Sequence, residues 1–295
     1  MKKTSQLLFF AIILLFSCVD KETATVTGFI QAGHHNVYYE STGKGDAVLL
    51  LHAGLLDHTM WAEQVKVLSQ HYRVITIDQP YHGKTTGSDT TLLVQELIRI
   101  VLDSLGVQKT SLAGLSMGAS AAQDFMIAYP YRVNKVILIS AGINGYEKEH
   151  VMDSVSMYWY PLFKQALSDG DTAAAAKEFT KAWAEGIYRK ADSLKSPASK
   201  FVYHLSLGNL RTHKMEGWPM LNEKPTAMEK LGSVHLPVLV IDGDKDLPYI
   251  LNCSAYLEKN IPGARHKTIK DVAHMLNLEK PGELNKLLSD FLESK

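Results

Sequence analysis

Five short stretches, Ala47 to Leu51, Val74 to Ile77, Thr110 to Ala113, Val136 to Ile139 and Val238 to Ile241, are almost continuously apolar, and they restrict the fold more than any other feature. A strand with one wet face alternates apolar and polar residues. Unbroken apolar runs mark strands buried on both faces, as happens where helices cover a parallel sheet. The first four begin about 25 to 35 residues apart, the length that a crossover helix requires. Helical stretches fill the gaps at Thr59 to Ser69, Leu92 to Leu105 and Ser116 to Ala128, the last stopped by Pro130. Upstream, Val26 to Gln31 and Asn36 to Glu40 read as an antiparallel hairpin joined around Gly33. The order predicts an α/β fold built on a doubly wound, mostly parallel sheet.

After Ile139 the rhythm breaks, because nearly a hundred residues precede Val238. That is too long for a crossover. Residues 144–233 are therefore expected to form a helical lid inserted after the sixth strand, dividing the core into 26–143 and 234–295. Asp171 before Ala173 to Glu185, with Gly186 at the stop, is one helix signal inside it. Three of the four tryptophans (Trp159, Trp183 and Trp218) lie there beside Tyr158, Tyr160 and Phe163. They could roof a substrate or simply form the insertion's own core.

Lys+Arg and Asp+Glu are both 31, so no basic surplus points to nucleic acid or another polyanion. The first residues depart from this neutrality: Lys2 and Lys3 precede the apolar run Leu7 to Phe16, the layout of an export signal and too short to span a bilayer. Leu15-Phe16-Ser17-Cys18 resembles the lipobox of bacterial lipoproteins, in which the chain is cut before the cysteine and its sulfur is acylated. Residues 1–17 would then be a signal, 18–25 a linker, and Cys18 a lipid anchor holding the domain on the membrane of the cell envelope. Cys253, the other cysteine, reads as a small buried residue.

The candidate chemistry starts at Gly114-Leu115-Ser116-Met117-Gly118, directly after the run Lys109 to Ala113. Where a buried strand gives way to a helix, this pattern makes a sharp turn that exposes the serine hydroxyl, so Ser116 is a candidate nucleophile. Serine alone is weak and needs a base and an orienting carboxylate. Val238 to Ile241 is followed by Asp242-Gly243-Asp244-Lys245-Asp246, and Arg265 to Ile269 by Asp271-Val272-Ala273-His274. The carboxylates at 242, 244 and 246 compete for the acid position. An EF-hand reading of that run fails, since Leu247 occupies the required glycine position and Cys253 the required glutamate. His34, His35, His58, His204 and His213 lack metal-ligand spacing, and no phosphate or dinucleotide glycine loop is present, so neither a metal nor a cofactor is implied.

With these residues in order, the chain resembles the α/β-hydrolases over about Val26 to Leu292. Leu49-Leu50-Leu51-His52-Ala53-Gly54 followed by Trp61 resembles that family's oxyanion strand and loop. Asp78-Gln79-Pro80-Tyr81-His82-Gly83 resembles its Asp-x-x-Gly-His-Gly turn, with Tyr81 in place of the glycine. Gly243-x-x-Asp246 and His274-x-x-Asn277-x-Glu279-x-Pro281 resemble its acid and base segments. The resemblance implies Ser116 as nucleophile, His274 as general base and then acid, and Asp246 as the residue that fixes the imidazole tautomer. The backbone N–H groups of Met117 and Gly54 would form the oxyanion hole, with Leu55 as the alternative second donor because Ala53 replaces a family glycine. His52 would shape that loop.

These features lead to the expectation of a serine hydrolase acting on a small-molecule carboxylic ester or lactone through an acyl-enzyme. C–C bond hydrolysis or cofactor-free perhydrolysis on the same residues, and a tethered ligand-binding or sensing module, are the alternatives.

Overall fold

A computed structural model describes residues 24–89, 91–150, 152–189, 195–213 and 225–294. The run Leu7 to Phe16, Cys18 and Trp218 lie outside them. Among the described residues, no helix is long and apolar enough to cross a membrane.

Eight strands form one sheet: β1 (Thr25–Ala32), β2 (His35–Thr42), β3 (Ala47–Leu51), β4 (Arg73–Ile77), β5 (Thr110–Leu115), β6 (Val133–Ile139), β7 (Val238–Gly243) and β8 (Arg265–Ile269). They lie in the order β1-β2-β4-β3-β5-β6-β7-β8. β1 and β2 pair antiparallel as the expected hairpin, and β2 runs antiparallel to β4. From β4 to β8 every pairing is parallel. This is the doubly wound sheet that the apolar runs predict.

The runs are unbroken because successive side chains enter two different cores. Leu49, Leu51, Ile75, Ile77, Leu112, Val136, Leu138 and Val240 point to one face, covered by α2 (Val94–Ser104), α3 (Met117–Ala128) and α9 (Pro248–Asn260). Val48, Leu50, Val74, Ala113, Leu115, Ile137, Ile139, Leu239 and Ile241 point to the other, covered by α1 (Ala62–Leu68) and α11 (Pro281–Glu293). Cys253 is a free thiol in the first core, and burial pushes its pKa up to about 12. It is chemically quiet there.

Between β6 and β7 the chain forms α4 (Ser154–Met157), α5 (Tyr160–Ser168), α6 (Thr172–Thr180), α7 (Pro197–Thr212) and α8 (Ala227–Lys230), and a short α10 (Leu276–Glu279) precedes α11. Asp171 caps α6 by accepting from Ala174 N–H, and a π-turn over Lys181–Glu185 prolongs the helix to Gly186, where φ becomes 72°. β6 begins three residues before the apolar run, since Asn134 and Lys135 interrupt the hydrophobic pattern without interrupting the strand. The Lys135 Nζ donates to the carbonyls of Phe291 and Leu292 at 3.0 and 2.7 Å, which accounts for a cation at this position.

Candidate active site

β5 ends at Leu115 and α3 starts at Met117, so Ser116 is the whole turn between them. Its backbone sits at φ 55°, ψ −114°, a conformation that costs a non-glycine residue about 1–3 kcal/mol and persists only where the surroundings impose it. The imposition is visible. Ser116 N–H donates to Ile139 O at 2.9 Å, and Ala119, Ala121 and Ala122 in the first turns of α3 are fully buried. A Cβ on Gly114 would lie 2.2 Å from the Gly118 carbonyl oxygen, and one on Gly118 would lie 2.1 Å from that of Leu51. No side chain fits at either position, so both glycines are required by close backbone approach.

The loops after β7 and β8 bring a carboxylate and an imidazole together. Asp246 accepts from His274 Nδ1 at 3.0 Å through Oδ1 and 2.9 Å through Oδ2, and both residues are 1% exposed. With Nδ1 committed as donor, Nε2 is left as the acceptor, and it is buried without a hydrogen-bond partner among the described residues. The other two carboxylates are occupied elsewhere. Asp242 binds His266 Nε2 at 2.8 Å, an interaction that raises the His266 pKa despite burial. Asp244 binds Lys245 Nζ at 3.0 Å and accepts from Asp271 N–H at 2.6 Å. Of the three, the structure brings only Asp246 to His274.

Facing Ser116 is the loop that follows β3, held by two histidines kept neutral. His52 Nδ1 donates to Ala53 O at 2.8 Å while Nε2 accepts from Gln79 N–H at 2.8 Å, and burial lowers its pKa. His82 Nδ1 donates to Pro80 O at 2.8 Å while Nε2 accepts from Leu55 N–H at 2.9 Å; burial, with the neighbouring His52 adding to it, depresses its pKa to about 3. The Leu55 amide is therefore committed to His82. Gly54 N–H carries no hydrogen bond among the described residues, and Met117 N–H, the first amide of α3, has no partner within its helix. Tyr81, at the family's glycine position, adopts φ 65°, so this turn keeps the left-handed geometry that the glycine would serve.

Ser116, Met117, Ala53, Gly54 and His274 open onto one cavity of about 390 Å³. The insertion completes it with Met152, Met157, Trp159, Tyr160, Phe179 and Trp183, and Met275 closes the side beside the imidazole. Trp183 packs on His274 with ring centroids 4.4 Å apart. The aromatics of the insertion divide: Trp159, Tyr160 and Trp183 line the cavity, Phe163 is buried in a hydrophobic core, and Tyr158 is 40% exposed.

Two supporting residues, Asn209 and Arg189, carry no sequence signature of their own, and Asn277 of the base segment joins them. Asn209 of α7 accepts from Gly83 N–H at 2.8 Å and donates to Leu55 O at 2.9 Å, stitching the insertion to both loops. Arg189 reaches across to the base loop, pairing with Glu279 and donating to Asp271 O at 2.9 Å. Asn277 donates to Met60 O at 2.7 Å and ties the base loop to the oxyanion segment.

Among the described residues one grouping has metal-like donors, Asp57, His58 and Asp78. His58 Nδ1 binds Asp78 Oδ1 at 2.7 Å, and Nε2 lies 3.2 Å from Glu40. Burial works against the His58 cation, but Asp78 outweighs it and raises the pKa. The contacts within the set are those of a hydrogen-bonded salt-bridge network.

The strand order and the serine turn where β5 gives way to α3 define the class as an α/β-hydrolase. The family model for the alpha/beta hydrolase fold matches residues 46–281, and the chain belongs to that family. It is 25% identical over 240 residues to 3-oxoadipate enol-lactonase 1 of Acinetobacter baylyi, covering 81% of this chain and 85% of that protein. It is 24% identical over 286 residues to 2-hydroxy-6-oxo-6-phenylhexa-2,4-dienoate hydrolase of Comamonas testosteroni, covering 88% and 92%. Among solved structures, the carboxylesterase CesB (YbfK) of Bacillus subtilis superposes with a TM-score of 0.71 at 21% identity, covering 92% of each chain. The protein is a hydrolase.

Proposed function

We propose that this chain hydrolyses a small-molecule carboxylic ester or lactone through an acyl-enzyme on Ser116. The observation that carries the reading is the pairing of His274 Nδ1 with Asp246, which leaves Nε2 buried and unpartnered on the same cavity as Ser116 and two unspent amides. In the first half-reaction His274 takes the Ser116 proton as Oγ bonds to the carbonyl carbon. The carbonyl oxygen becomes negative and accepts from the N–H groups of Gly54 and Met117, donors each worth about 10² to 10³ in rate. Collapse expels the alcohol, which receives the proton from His274. Water then enters, gives its proton to His274 and attacks the acyl carbon; the acid leaves and Oγ is reprotonated. Asp246 holds the tautomer and stabilises the transient imidazolium.

Hydrolysis of a C–C bond next to a carbonyl uses the same groups, and the dienoate hydrolase among the relatives favours it as a second reading. We also propose that Cys18 is acylated and tethers the domain to the membrane, on the strength of Leu15-Phe16-Ser17-Cys18 after a charged and then apolar start. Turnover of p-nitrophenyl esters and lactones by the parent protein, absent from Ser116→Ala, tests the ester reading. Turnover of a vinylogous diketone without any ester turnover would replace it with the C–C reading.

A further inference from the structure

The walls of the cavity beside Ser116 are carbon and sulfur almost throughout. Met117, Met152, Met157, Phe179, Trp183 and Met275 supply them, and no charged side chain of the described residues lines the space. The Ser116 hydroxyl, His274 and the amides of Gly54 and Met117 meet at one end, and Trp159 and Tyr160 also line the space. That end is also electrically committed. The two amides are the anion site, and the Asp246 carboxylate, 1% exposed, lies behind His274. A second negative charge on the substrate would lose its water in this cavity, find no cation among the described lining residues, and be repelled by Asp246.

We infer that the substrates are uncharged esters or lactones with an apolar acyl part, and that an acyl chain ending in a carboxylate is excluded. This rests on the ester reading above and adds the electrostatic selection. The wall composition sets the tolerance. Four of the lining residues are methionines, unbranched and readily rearranged, so the site accepts differently branched acyl chains of one size.

The test compares two isosteric substrates on the full-length protein at pH 7: p-nitrophenyl 6-methylheptanoate, and the p-nitrophenyl monoester of adipic acid, whose terminal carboxylate replaces the isopropyl end. The neutral ester is expected to exceed the acidic one in kcat/KM by about 10²-fold or more. Met157→Arg, which puts a cation on a partly exposed wall position, should narrow that ratio at least about tenfold by raising turnover of the acidic ester. Equal turnover of the two esters by the parent would overturn the selection and leave ester hydrolysis standing. Turnover of neither above the Ser116→Ala background would overturn the ester reading itself, and the selection with it.

Discussion

Lowering the pH from 7 to 5 should cost the folded chain about 2 kcal/mol through His82 alone. The ring is 3% exposed, with Nε2 accepting from Leu55 and Nδ1 donating to Pro80, so only the neutral form fits. Its pKa falls from 6.5 to about 3, chiefly through burial. The folded value is below the unfolded one, so the unfolded chain takes up the proton first. Stability is complete above about pH 6.5 and is lost progressively as the pH falls towards 3. At pH 5 the gap is about 1.5 pH units, which at 1.36 kcal/mol per unit gives about 2 kcal/mol. Urea unfolding of the parent and of His82→Gln at both pH values isolates this contribution, because glutamine can accept from Leu55 but does not titrate. Groups common to the two proteins cancel. The parent's advantage over His82→Gln at pH 7 should shrink by about 2 kcal/mol at pH 5. An advantage that is the same at both values would refute the argument that burial keeps this ring neutral.

Other changes follow from the same contacts. Asn209→Leu keeps the branched shape but leaves the Gly83 amide and the Leu55 carbonyl without the Asn209 partner, so it should destabilise by about 1–3 kcal/mol in thermal denaturation and lower kcat more than it raises KM. Asp246→Asn should fold normally yet lose about 10⁴ in kcat, since the amide no longer selects the His274 tautomer. Cys18→Ala should abolish incorporation of radiolabelled fatty acid; unchanged labelling would remove the anchor while leaving the ester chemistry untouched.

The fold is legible because its signals are local. Doubly buried strands write themselves as apolar runs, and Gly114 and Gly118 announce a turn in which a single Cβ would strike a backbone oxygen. The acid position is a different case. Asp242, Asp244 and Asp246 look alike as residues, and what separates them is that His266 on the adjacent β8 lies within reach of Asp242. Which amide stays unspent in the loop after β3 depends on His82, 27 residues beyond Leu55. The cavity walls were the least legible part. Met152, Met157 and Trp183 meet Met275 only after the insertion folds back over the sheet, and nothing in a methionine's neighbours along the chain distinguishes a wall from a core. Asn209 and Leu55, 154 residues apart, are in the same position.

The central claim is that Ser116 is activated by His274 and carries the acyl group. Incubation with a fluorophosphonate, followed by proteolysis and mass spectrometry, tests it directly. The account predicts one phosphonyl group per chain on the peptide containing Ser116, and none on Ser116→Ala or, over the same interval, on His274→Ala. Labelling at another serine, or equal labelling in the absence of His274, would contradict it.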